Sequence, residues 1–153
     1  MRIPLFVSIL IACMTNTAFA VEIDGRYEST VKIKNLETGL ENSMVNFLEI
    51  EKTDENSIYF VYESWHTNGH ACRLYGTAQK VDRNTYEYVQ ENAILPKKNY
   101  CKARIYTSDI SIIVEDVDES CRADSCGARG QIGKSTFPLN SHKNLSTPVV
   151  APW

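Results

Sequence analysis

Along most of this chain, apolar and polar residues alternate with a period of two, in short runs separated by turn residues. Successive side chains of a strand point to opposite faces, so this period reads as half-buried strands. A polar turn, Ile23-Asp24-Gly25-Arg26, leads into a run from Tyr27 to Leu36, where Val31 and Ile33 alternate with Lys32 and Lys34. Glu37-Thr38-Gly39 predicts a turn. Ser43 to Lys52 carries Val45, Phe47, Leu48 and Ile50 and suits a strand or a short helix; the strands that follow favour the strand. Thr53 to Asn56 is a polar break, and Ser57 to Gly76 reads as two strands around a tight turn, the second reaching Lys80. Asp82-Arg83-Asn84 predicts a turn, and Thr85 to Gln90 a strand with Tyr86 and Tyr88 on one face. Ala93 to Asn99 predicts a loop. Cys101, Ala103 and Ile105 alternate with Lys102, Arg104 and Tyr106 in the next strand. Ser108-Asp109 turns into Ile110 to Val114, and a last strand covers Gln131 to Phe137. No run shows a helical period or an internal repeat. Short strands at short spacing predict an all-β fold, a small antiparallel β-barrel or β-sandwich. Residues 21–140 are expected to form this single domain, with 141–153 as a flexible C-terminal tail.

The Ser57–Gly76 hairpin is the most determinate stretch. Asn68-Gly69 is a strong turn signal. A loop of Thr67-Asn68-Gly69 pairs His66 with His70, Ser64 with Cys72, Tyr62 with Leu74, Phe60 with Gly76 and Ile58 with Ala78. One face then collects Ile58, Phe60, Tyr62, Cys72, Leu74 and Ala78 and is nearly all apolar. A shorter loop slips the register by one residue and sets Glu63 beside Leu74, mixing the faces. The longer loop is therefore expected, with Gly69 in the left-handed conformation and Gly76 leaving room for the Phe60 ring.

The first twenty residues read as a signal peptide: Arg2, an apolar run from Leu5 to Met14, and a small-x-small site at Ala18-Phe19-Ala20 with cleavage after Ala20. Leu10-Ile11-Ala12-Cys13 also resembles a lipobox, the less favoured alternative. No other run is long and apolar enough for a transmembrane segment. The protein is expected to be periplasmic or secreted. Loss of Arg2 lowers Lys+Arg from 16 to 15 against 19 Asp+Glu, moving the net charge from −3 to −4. An acidic chain without a basic patch argues against nucleic acid and is compatible with a basic protein partner. Four cysteines remain: Cys72, Cys101, Cys121 and Cys126. An even number after a signal peptide predicts two disulfides. Of three connectivities, Cys72–Cys101 with Cys121–Cys126 is favoured here, because the first staples the hairpin to a later strand and the second closes a local loop. The cysteine spacings are poor for structural zinc.

Few motifs carry chemistry. Ala128 to Ser135 loosely matches a phosphate loop, but no helix is expected to follow, so the match reads as chance. Asn144-Leu145-Ser146 is formally a glycosylation sequon. His66 and His70, facing across the hairpin, are weak candidates for Zn²⁺ or Cu²⁺ but want a third ligand. The acidic run Glu115, Asp116, Asp118 and Glu119 lacks the order of a calcium loop and reads as a solvated loop or a patch for a basic partner. Trp65 lies on the face opposite the core row, beside Val61 and Tyr59. It is either an exposed interface anchor or core beneath a second sheet. With oxidised cysteines and no nucleophile elbow, no catalytic set emerges; the chain reads as a non-enzyme without a cofactor.

Asn68-Gly69-His70-x-Cys72-x-Leu74-x-Gly76-x-Ala78, then Cys101, then Cys121-x₄-Cys126-Gly127-x-Arg129-Gly130, resembles a pattern in small exported bacterial β proteins, some of them lysozyme inhibitors. The resemblance spans Tyr59 to Phe137. The Ser-Gly-x-x-Tyr loop of c-type lysozyme inhibitors is absent, so no family site residue carries over. The resemblance implies a periplasmic protein that inhibits a peptidoglycan-cleaving enzyme by inserting a rigid loop. The segments to examine are Trp65, His66 and His70, and the acidic loop (Asp116, Asp118, Glu119) with Arg122 and Arg129. Alternatives are an immunity protein against a rival's toxin, a periplasmic metal-binding protein and a structural envelope protein.

Overall fold

A computed structural model describes residues 23–91, 100–126 and 130–150. The expected signal peptide with Cys13, the loop at 93–99 and Arg129 lie outside the described residues. Eight strands follow one another: β1 (Gly25–Lys34), β2 (Glu41–Lys52), β3 (Ser57–His66), β4 (His70–Asp82), β5 (Thr85–Glu91), β6 (Tyr100–Thr107), β7 (Ser111–Asp116) and β8 (Lys134–Pro138). Each pairs antiparallel with the next, in one sheet of order β1 to β8. The sheet curls into a nearly closed barrel, which decides between the two architectures the alternation allowed. Ser43–Lys52 belongs to a strand, as expected, and the only helical segments among the described residues are short: α1 (Arg122–Ser125) and three single turns.

The hairpin register is the one the apolar row demanded. His66 pairs with His70, Ser64 with Cys72, Tyr62 with Leu74, Phe60 with Gly76 and Ile58 with Ala78. Thr67–Gly69 forms a 3₁₀ turn, and Gly69 has φ 73°. The row points inward. Ile58, Phe60, Tyr62, Cys72 and Ala78 are fully enclosed with Leu48, Ile50, Ala103, Ile105, Ile112, Val114 and Phe137. Side chains thus fill the barrel, as interiors of eight-stranded barrels commonly are. Gly76 serves a different ring from the one expected. A Cβ there would lie 2.6 Å from Tyr88 Cε2, and its φ of 146° disfavours any side chain. Tyr88 fills that space and meets Phe60 edge to face, centroids 5.2 Å apart.

The disulfides are Cys72–Cys126 and Cys101–Cys121, which corrects the expected pairing. Cys72 is on β4 and Cys101 on β6, and β5 lies between those strands. Two strand spacings of about 4.8 Å exceed the usual reach of a disulfide. Cys121 and Cys126 bracket α1, and each reaches a different strand. Gly130 packs against the first bridge; a Cβ there would come within 2.8 Å of Cys72 Sγ and of the Cys126 carbonyl.

The chain does not leave the domain at residue 140. Arg26 and Lys143 exchange backbone hydrogen bonds of 2.8 Å, and Glu28 N donates to Ser141 Oγ. This segment lies along β1 after β8 ends and helps close the barrel. Gly25 makes room for His142, whose ring is 5.3 Å from Tyr27 and whose Nε2 is 2.8 Å from the Asp24 carbonyl. Farther on, Val149 N donates to Glu51 Oε2 and its side chain is buried. Residues 141–150, expected as a tail, are therefore tied to β1 at Ser141–Lys143 and to β2 at Val149.

Candidate functional site

In an antiparallel meander the odd-numbered strands all finish at the same end of the barrel. The β3–β4 turn, with His66 and His70, and the long β7–β8 connection, with the acidic run and Arg122, therefore emerge together. The structure thus gathers at one end segments that lie fifty residues apart.

On the hairpin, Trp65 stands on the outer face opposite Ala71 and is half-buried. Its backbone N–H donates to Asn46 Oδ1, which fixes the strand to β2. Among the described residues no second sheet covers the outer face. Val61, on the same face, is only 4 % exposed; the chain around Val149 and Val150 lies over this side, and Val150 lines a hollow with Phe47 and Val61. Trp65 thus sits beyond a strap of chain, partly open. His66 and His70 are both half-buried and directly opposed. His66 Nε2 is 3.0 Å from Ser64 Oγ. Burial, and secondarily the neighbouring His70, pushes the His66 pKa below its usual 6.5.

Inside the barrel, Ser64 is 1 % exposed, and Tyr62, fully enclosed, shares a 2.7 Å hydrogen bond with Ser135. Lys134 and Ser135, from the phosphate-loop lookalike, therefore belong to β8, with no phosphate-binding helix after them. Ser64 cannot serve as a nucleophile for an external substrate while it is so enclosed.

The acidic run does not act as one solvated loop. Glu115 accepts from Tyr106 Oη and approaches Lys134 at 3.9 Å. Asp116 turns inward and is 7 % exposed. Its Oδ1 accepts from Cys121 N (3.0 Å) and Ser120 Oγ (3.3 Å), whereas Oδ2 has no partner among the described residues. Burial raises its pKa above the ordinary 3.8 despite these donors. Asp118 and Glu119 alone are exposed, both with positive φ (58° and 54°). Glu119 accepts from Gln131 Nε2 at 2.8 Å and lies 3.9 Å from Arg122. Asp116 is thus corrected from partner-facing to internal. The strand runs on to Asp116, past the Val114 expected as its end, so Asp116 shares the inward face of β7 with Val114. Among the described residues no three His, Cys, Asp or Glu side chains converge on a metal position.

The opposite mouth holds a feature the sequence did not reveal, a cavity lined by residues from five segments, including Lys52, Lys80 and Tyr86. The molecule is thus a disulfide-braced, eight-stranded meander barrel with a filled interior, and no helix of the described residues is long and apolar enough to cross a membrane. Comparison with protein-family models, curated proteins and solved structures found no match for this chain.

Proposed function

We propose that this protein is a binder, not an enzyme, that inhibits a peptidoglycan-cleaving enzyme in the oxidising space outside the cytoplasm. The observation that carries the reading is the pair of tethered segments at one barrel end. The His66–His70 turn is tied by its strand pairing, and the β7–β8 connection is tied by two disulfides. Rigid loops bind with little ordering entropy, which is what insertion into an enzyme cleft requires. Trp65 supplies an aromatic anchor beside the turn, and Asp118, Glu119 and Arg122 supply charge nearby in the connection. The net charge of −3 suits the basic surface of a cell-wall hydrolase. The disulfides support an oxidising compartment. A filled interior leaves no lumen for a large ligand, which further favours action through the surface.

The test is a cell-wall lysis assay with purified, oxidised protein titrated into c-, g- and i-type lysozymes and a bacterial amidase. Saturable inhibition near one-to-one stoichiometry is expected against at least one of them. Trp65→Ala should weaken it by about tenfold or more, the cost of a lost aromatic anchor. Asp118→Asn with Glu119→Gln should weaken it in a salt-dependent manner. Absence of inhibition throughout the panel would overturn the reading.

A further inference from the structure

The barrel mouth opposite the His66–His70 turn encloses a cavity of about 310 Å³. It forms where β1 starts, β2 ends and the β2–β3 and β4–β5 turns meet. Ile23 and Ile58, both buried, form its floor, and the partly buried Tyr86 ring gives it an apolar wall. Its volume falls at the lower end of the roughly 300–1,000 Å³ typical of small-molecule sites, and barrel mouths are a common place for them. The filled interior beneath confines any occupant to the mouth.

Charge is distributed unevenly around it. Lys52, Lys80 and Arg83 contribute three cations, Asp24 and Glu55 two carboxylates, in a chain whose net charge is −3. The Asp24 carboxylate already accepts the Lys52 backbone N–H. Neither Lys52 nor Lys80 forms an ion pair among the described residues, although Glu28, Glu49, Glu63, Glu87, Glu115 and Glu119 elsewhere all do. Two ammonium groups border this hollow; Lys52 also helps hold the nearby Asp54 carboxyl below its usual range, which leaves Lys80 the less neutralised of the two. A concave, low-dielectric wall strengthens their pull on an anion.

We infer that this mouth binds a small monocarboxylate with a short apolar body, its carboxylate held by Lys52 and Lys80 and its body lying on the Tyr86 ring above Ile23 and Ile58. The Tyr86 ring, which is only partly buried, disfavours a bare inorganic anion, because its face would stay hydrated. Asp24 and Glu55 limit the site to one negative charge, since a dianion would meet their repulsion. This site is separate from the loops proposed to engage an enzyme, and its fate does not depend on theirs.

The experiment is a methyl-resolved NMR titration of the oxidised protein with hexanoate, alongside hexanol, hexylammonium and inorganic phosphate. Hexanoate should shift the Ile23 and Ile58 methyls saturably while leaving Leu74, deep in the barrel, in place. Hexanol, hexylammonium and phosphate should each bind at least about tenfold more weakly, the value of one charge-assisted contact or of the buried chain. Lys52→Gln with Lys80→Gln should weaken hexanoate by about tenfold or more; both positions are exposed, and an unchanged Leu74 signal would establish that the variant folds. Lys80→Gln alone, expected to weaken binding in the same sense, serves if the double variant does not fold. Overturning results are hexanol or hexylammonium matching hexanoate, the lysine variants binding normally, or no shift at all.

Discussion

Gly76 and Gly69 show how differently two glycines of one hairpin are constrained. Gly69 has φ 73° and open space around its Cα, so alanine there meets backbone strain only. Gly76 has φ 146° and the Tyr88 ring 2.6 Å from where a Cβ would stand. Strained φ alone costs on the order of 1–3 kcal/mol, and a displaced core ring adds a packing loss. Urea denaturation should therefore show Gly76→Ala less stable than Gly69→Ala by at least about 1 kcal/mol, with Tyr88 fluorescence or NMR shifts changed only in the former. Equal losses would mean that Tyr88 yields without cost. The sequence flagged Gly76 through its place opposite Phe60, yet the ring that fills the gap comes from β5. A hairpin register fixes its own two strands and says nothing of the third.

At the scale of elements, the two disulfides anchor the long β7–β8 connection. Cys72–Cys126 joins residues 54 apart and Cys101–Cys121 residues 20 apart. Loop-closure entropy then assigns them about 4 and about 3 kcal/mol respectively. Replacing Cys72 and Cys126 by Ser should lower the unfolding free energy more than replacing Cys101 and Cys121. Trypsin can cut after Arg122, between the last two cysteines, so the pairing can be read directly. A non-reducing digest should yield Thr53–Arg73 linked to Ala123–Arg129, and Asn99–Lys102 linked to Ile105–Arg122. A link between the Cys121 and Cys126 peptides would contradict the fold. Most strands were legible from period-two alternation, because each has one face in the core; Ser43–Lys52 suited a helix as well and was placed by the strands that follow it. The cysteine pairing was not, because it depends on which strand lies between β4 and β6.

For the molecule as a whole, two titrating groups at the loop-bearing end, Asp116 buried and His66 half-buried, give stability a pH dependence of opposite senses. Asp116 has a folded pKa raised above 3.8 by burial. The folded state binds its proton more tightly, so this contribution is full below the unfolded value and is lost as pH rises through the folded one. His66 has a folded pKa lowered below 6.5, so its contribution is full above that value and is lost as pH falls toward the folded pKa. Asp116→Asn retains an oxygen for the Cys121 N–H and removes the buried charge. Its stability relative to wild type should therefore improve as pH is raised from 4 to 7. His66→Gln should gain on wild type as pH is lowered below 6.5. Denaturation of the three proteins at pH 4, 5.5 and 7.5 checks both signs. Parallel curves would show that neither group is held as described.

The sequence by itself determined the strands, the hairpin register and the inward row from Ile58 to Ala78, since all of these follow from short-range alternation and turn chemistry. Tertiary structure alone decided the closure of the sheet, the partner of each cysteine, the burial of Asp116, the docking of residues 141–150 and the lysine-rimmed mouth. Each of these joins residues distant in the chain through the curvature of the sheet, and a local pattern carries no record of which distant strand will come to lie beside it.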